Sequence, residues 1–220
     1  MRRRSGFTLP YGRSFVRRRR RSGFTLVEVL TVMAVIVVLI GLSIPAISMI
    51  RTKSSISETT ALFERLRLAL ATYQNDFGDY PPSSPKKVGL RGNGQNDGGE
   101  LLVRCLTTRA KSGNYFAFED KQLGNNDGDR LTSDKDPMQS TFATRDLVEL
   151  LDSWGNPVGY LHNADYTVGG SVSLPTGLAQ FSAAKSEKTG QELGLTTYQL
   201  WSAGPDGLAN TPDDIVVPGQ

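Results

Sequence analysis

The chain has 220 residues, with 25 basic and 22 acidic side chains and a formal net charge of +3. Nine of the basic residues are arginines before residue 24, where there is no acid, which leaves 16 basic against 22 acidic and a net of −6 beyond that point. A nucleic-acid-binding domain, which needs its basic patch on the folded part, is therefore not indicated. The single cysteine, Cys105, excludes an internal disulfide and a cysteine framework for zinc.

The first element is a membrane-length helix. Val29 to Ile50 is a run of 22 uncharged residues, enough to cross a hydrocarbon core of ~30 Å at ~1.5 Å per residue. Five arginines, 17–21, precede it, as the positive-inside bias asks. The run exceeds the ~7–15 apolar residues of a secretory signal, and no small-x-small cleavage site follows it before Arg51. One acid, Glu28, stands at its mouth. A carboxylate in lipid costs about 2.5–3.5 kcal/mol at the helix centre and less near an end, so such a residue has a role to play. A plain membrane anchor accounts for the arginines and the apolar run, but not for the sequence between them.

That sequence, Gly23-Phe24-Thr25-Leu26-Val27-Glu28-Val29-Leu30, resembles the class III signal of type IV pilins and of the pseudopilins of type II secretion. The resemblance implies removal of a basic leader, residues 1–23, by a prepilin peptidase that cuts after Gly23, and N-methylation of Phe24. It also implies that Glu28 pairs with a subunit amine during filament assembly. A buried carboxylate and a buried ammonium are tolerable chiefly together. Upstream, residues 2–9 repeat residues 19–26 letter for letter, but Pro10-Tyr11-Gly12 follows in place of a helix. Cleavage is therefore expected at the second copy; a local duplication or a start site placed too far upstream would each explain the first.

The apolar helix, residues 24–50, is interrupted by Gly41 and Pro45, and Pro45 is expected to kink or locally melt it. Residues 51–78 continue as an amphipathic spine, with Ile56, Phe63, Leu66, Leu70, Tyr73 and Phe77 recurring at helical steps. Asn75 to Gly78, then Pro81-Pro82, end the pattern. The head follows, residues 79–220. Pro81 to Gly99 reads as loop, and Glu100 to Arg109 as a short amphipathic helix with Cys105 as a packed thiol. Gly124-Asn125-Asn126-Asp127-Gly128-Asp129 offers several oxygen ligands without a complete EF-hand spacing. It reads first as a solvated turn and only second as a metal loop.

Tyr73-x-x-Asp76-x-Gly78-x-Tyr80-Pro81 and Asp152-Ser153-Trp154-Gly155-Asn156-Pro157 resemble segments of the major pseudopilin, with Ser153 in place of that family's first proline in the second motif. The second motif is expected to form a sharp reversal with Trp154 packed on the spine. Val158 to Tyr160 is the expected first strand, and Thr196 to Ser202 alternates polar with large apolar residues as the best strand in the chain. His162 has no evident partner set. The last loop gathers Asp206, Asp213 and Asp214 within nine residues. From spacing alone, a bound Ca²⁺ and a solvated acidic turn stand level. The segment also resembles the calcium loop of the major pseudopilin, Ser-x-Gly-x-Asp-Gly followed by Asp-Asp-Ile. That resemblance implies Asp206, Asp213 and Asp214 as side-chain ligands, the carbonyls of Ala203 and Leu208 as completing groups, and a structural Ca²⁺.

No catalytic constellation is evident. The reading is an α+β chain: a long N-terminal helix packed on a small antiparallel sheet head, as in pilins. Its implied function is that of a subunit of the periplasmic pseudopilus of a type II secretion system, single-pass in a bacterial inner membrane. The implied partners are further copies of itself, minor pseudopilins, the prepilin peptidase, the assembly platform and lipid, with no nucleic acid. A type IV or competence pilin is the alternative, and a membrane-anchored periplasmic binding protein or enzyme a more distant one.

Overall fold

A computed structural model describes residues 23–132 and 136–220, with the side chains of all of these except 42–47. The basic leader thus lies outside the described residues, apart from Gly23. Two compact units are distinguished, one up to Ile47 and one from Ser48 to Gln220.

Helix α1 spans Leu26–Phe77. In the first unit its described apolar side chains, from Leu26 to Ile40, are exposed on every side. The helical backbone continues through Gly41 and Pro45, so no local melt occurs there; any effect of the Pro45 ring falls among side chains outside the described set. Among the described residues no helix is long and apolar enough to cross a membrane.

In the second unit the same helix carries the core of the head. Phe63, Leu66 and Leu70 are fully buried, flanked by Thr59, Leu62, Ala69 and Tyr73. The expected stripe is therefore right in its middle and too long at its ends, because Ile56 and Phe77 are 36% and 38% exposed. Each fully buried Leu or Phe contributes about 1.5–3 kcal/mol, so these rows outweigh any single polar contact on the helix.

The strands are short and antiparallel. β1 (Leu123–Gly124) pairs with β2 (Glu149–Leu150). β3 (Gly159–His162), β6 (Tyr198–Ser202) and β7 (Ile215–Pro218) form a three-stranded sheet with β6 in the centre. β4 (Gly170–Leu174) and β5 (Gly177–Phe181) form a hairpin. The expected strand at Val158 to Tyr160 is β3, the first of the three-stranded sheet, although β1 and β2 precede it in the chain.

β6 alternates polar with large apolar side chains, yet all five of its residues are buried. One face, with Tyr160, Tyr198 and Leu200, joins the core built on α1. The other, with Leu161 and Trp201, joins a second core under the β4–β5 hairpin. There Phe181 stacks on Trp201 with centroids 4.7 Å apart. Gln199 is tolerated on that buried face because its amide bonds the N–H and carbonyl of Ala184 and the carbonyl of Leu193.

Helix α2 (Asp97–Leu106) begins earlier than expected and is not amphipathic in place: every residue from Gly99 to Leu106 is buried. Gly98 and Gly99, expected to be loop, lie in its first turn against β3. A Cβ on Gly98 would meet the Tyr160 carbonyl oxygen at 2.2 Å, and one on Gly99 would meet that of Val158 at 2.7 Å. Arg104 is buried within the helix and accommodated by Asp136 at 2.7 Å and by the carbonyls of Thr144 and Asp146. Cys105 is 2% exposed, and burial pushes its thiol up to about 12, as a packed and unreactive thiol requires.

Two further expectations are corrected. The turn at Asp152–Asn156 reaches the spine through Ser153, whose N–H and hydroxyl bond Thr59, while Trp154 is half-buried and joins neither core. His162 does have partners: its Nε2 lies 3.1 Å from Asp79, and its Nδ1 accepts the Ala164 N–H. That pairing places the imidazole proton on Nε2.

Because the obstacles at Gly98 and Gly99 are backbone atoms, α2 cannot accept a side chain there without moving. Gly98→Ala is expected to destabilise the head by about 1–3 kcal/mol, read as a lower thermal midpoint. An unchanged midpoint would mean that α2 is not seated on β3 as described.

Candidate functional site

Three places carry the residues of functional interest. At the N-terminus, Gly23, Phe24 and Thr25 precede the helix, and Phe24 is 82% exposed. Thr25 and Glu28 form a reciprocal cap. The Glu28 carboxylate accepts the Thr25 N–H at 2.8 Å and its hydroxyl at 2.9 Å, and the Thr25 hydroxyl accepts the Glu28 N–H at 3.3 Å. Ser/Thr-x-x-Glu is the capping-box pattern, readable in Thr25-Leu26-Val27-Glu28 but overlooked when Glu28 was considered only as an assembly acid. The cap holds the carboxylate four residues from Phe24.

Residues 18–44 match the prokaryotic N-terminal methylation motif. The match includes Gly23, Phe24 and Glu28 and is consistent with a type IV pilin-like protein, processed by a prepilin peptidase and held by its N-terminal helix. Its first residues, 18–22, precede the described ones. No curated protein and no solved structure is significantly similar to the chain.

The second place is the loop between β6 and β7. Its three aspartates are engaged by local donors. Asp206 accepts the Leu208 N–H, and Asp213 accepts the Asp206 N–H and the Thr211 hydroxyl. Asp214 accepts the Trp201 indole N–H at 3.0 Å and the Asn210 N–H at 2.9 Å. The Thr211 hydroxyl bond is the main cause holding the Asp213 carboxyl below its usual range. The expected carbonyl groups lie in the same loop: Ala203 is fully buried, and the Leu208 carbonyl accepts from Thr211 at 3.4 Å. Asp206, Asp213 and Asp214 thus share one loop, but their oxygens are not drawn into one coordination sphere.

The third place is where oxygens do converge. Ligand atoms of Glu100, Asp127 and Asp129 all lie within 4.8 Å of one another. Glu100 comes from the first turn of α2, and the aspartates come from the loop between β1 and β2 that was expected to be a solvated turn. Glu149 on β2 and Asp97 at the start of α2 lie close enough to act on them electrostatically. Burial first, and the four neighbouring carboxylates second, push Glu100 up to about 10. Burial first, then the charges of Asp127, Glu149 and Asp97, push Asp129 up to about 7. Burial also raises Asp97 and Glu149. Glu100 and Glu149 were missed in the sequence because both lie far in the chain from residues 125–129.

A cleft of about 790 Å³ lies between the segment before α2 and the β4–β5 hairpin, lined by Ser83, Asn96, Asp97, Gly159, Ser171 and Phe181 among others. Among its lining residues the only basic side chain is Lys86.

Proposed function

We propose that the chain is the major pseudopilin of a type II secretion system: a subunit cleaved after Gly23, methylated on Phe24 and polymerised through its N-terminal helix into a periplasmic filament. The observation that carries this reading is the methylation motif at residues 18–44, joined to a helix whose apolar residues are exposed on every side. Such a surface requires a covering. Lipid supplies it before assembly and neighbouring helices supply it after. Glu28 is the polar group in that apolar surround, and an N-terminal ammonium from a neighbouring subunit is the partner its chemistry suits. The head, on this reading, forms the outer face of the filament.

The absence of a cysteine pair, together with the acidic loop after β6, favours a pseudopilin over a disulfide-closed pilin. In that loop we propose a structural Ca²⁺ on Asp206, Asp213 and Asp214, with the carbonyls of Ala203 and Leu208. The local hydrogen bonds use only some of the aspartate lone pairs and leave others for a cation. The ion would secure the crossing from β6 to β7, where Trp201 already fixes Asp214.

If Glu28 is the assembly acid, Glu28→Val should be processed normally and fail to enter filaments; normal filaments would contradict the role. In cells lacking the chain, exported proteins should accumulate in the periplasm while twitching and DNA uptake are unaffected. The reverse pattern would support a pilus subunit instead.

For the C-terminal loop, Asp213→Ala removes local hydrogen bonds as well as a ligand, so the loss of melting temperature alone decides nothing. The informative quantity is the drop caused by chelator in the detergent-solubilised chain. It should be smaller in Asp213→Ala by the stabilisation the ion supplied, about 2.7 kcal/mol at a calcium level 100 times Kd. An equal drop in variant and wild type would exclude a cation from this loop.

A further inference from the structure

We propose a second cation site, built inside the head by Glu100, Asp127 and Asp129, with the unpaired side-chain oxygens of Asn125 and Glu149 beside it and calcium as the ion. It is independent of the C-terminal loop and of the pseudopilin reading. The three carboxylates supply ligand atoms mutually within 4.8 Å, but convergence of acids alone would not identify a site.

The second observation is a set of buried oxygens without any donor. Glu100 is 2% exposed and Glu149 is fully buried, yet Glu100 Oε1 and Glu149 Oε2 have no hydrogen-bond partner. Asp97 Oδ1, Asn125 Oδ1 and Asp129 Oδ1 are in the same condition. All five atoms are acceptors, and they come from the same small region. Buried polar atoms in native proteins are nearly always paired, and leaving one unpaired costs about 1–3 kcal/mol, more for a charged group. Five together call for something positive at their centre.

No described side chain supplies it. None of Asp97, Glu100, Asp127, Asp129 or Glu149 forms an ion pair with a described cation. Arg104, one turn along α2 from Glu100, is engaged by Asp136 and two carbonyls. A proton shared between Glu100 and Asp129 would relieve that pair but leave the unpaired oxygens of Asn125 and Glu149 beside it facing carboxylates with no positive charge between them. A buried water would donate two hydrogen bonds and no charge.

The surrounding structure holds the oxygens apart for a ligand. Glu149 is fixed through its other oxygen by the Asn126 N–H at 2.9 Å and the Asn96 amide at 2.6 Å. Asn125 donates its amide to the Asp129 carbonyl, which leaves its own oxygen free. Asp127 is held by Asn93 at 2.8 Å. The donor set is entirely oxygen, with the only histidine and the only cysteine elsewhere. Zinc prefers nitrogen and sulfur, and Mg²⁺ keeps several waters in a strict octahedron, whereas Ca²⁺ takes six to eight oxygens in an irregular shell. A calcium ion here would tie α2 to the β1–β2 loop.

The test is equilibrium dialysis of the detergent-solubilised full chain against radioactive calcium after stripping with EGTA. Glu100→Gln should bind one calcium fewer per chain than the wild type, whatever the C-terminal loop contributes. Asp213→Ala should leave this site filled. Equal stoichiometry in Glu100→Gln and wild type would overturn the proposal. Should Glu100→Gln not fold, Asp127→Asn, which is half-exposed, is expected to show the same loss, and equal binding there would overturn it as well. In EGTA the Glu100→Gln protein should melt no lower than wild type, because a neutral amide of the same shape replaces an acid crowded by other acids, and calcium should raise its midpoint less. A calcium-dependent rise as large as that of the wild type would contradict the site.

Discussion

The head depends on one strand being dry on both faces. Tyr198–Ser202 is the centre of the only three-stranded sheet among the described residues, and neither face is left to solvent. Its Tyr198 and Leu200 side extends the core that begins on the spine at Phe63, Leu66 and Leu70. Its Trp201 side takes Phe181 from the hairpin. Hydrophobic burial on two sides of a five-residue strand explains why so small a sheet suffices, and why everything else is arranged to reach it. The segment after α1 is fastened by the Tyr160 hydroxyl on the Pro81 carbonyl at 2.7 Å, and α2 lies against β3 with no side chain between.

The same logic assigns different work to the two parts of α1. From Thr59 to Tyr73 its large apolar residues other than Leu68 are buried within the head. From Leu26 to Ile40 they are exposed. The physical requirement for lipid or other subunits therefore comes from the first stretch, and the folded head is built on the second. Glu28 connects the two ideas. It is held by Thr25 in the single chain, and it is the acid expected to exchange that contact for an amine when subunits meet.

Much of this was legible in the sequence because it is local. A capping pattern, an uncharged run, the end of a helix at Gly78 and an aromatic strand before an acidic loop are all read within a few residues. What escaped was non-local. The alternation of Thr196 to Ser202 marks a strand but cannot say that a hairpin will cover its polar side. Gly98-Gly99 looks like a turn until β3 is placed against it. Glu100 looks like the polar face of a surface helix, although it faces Asp127 and Asp129 from the opposite side of a chain excursion of more than twenty residues. The Ser153 substitution in the tryptophan turn had no evident meaning until its hydroxyl met Thr59.

The account rests on the N-terminal signal being used. The most direct measurement is the intact mass of the chain recovered from membranes of cells that carry its peptidase. The account predicts a mass that begins at Phe24 with one added methyl group. A mass that still contains residues 19–23 would contradict it, because an uncut leader leaves no amine at Phe24 for Glu28 to meet and no filament subunit of this kind.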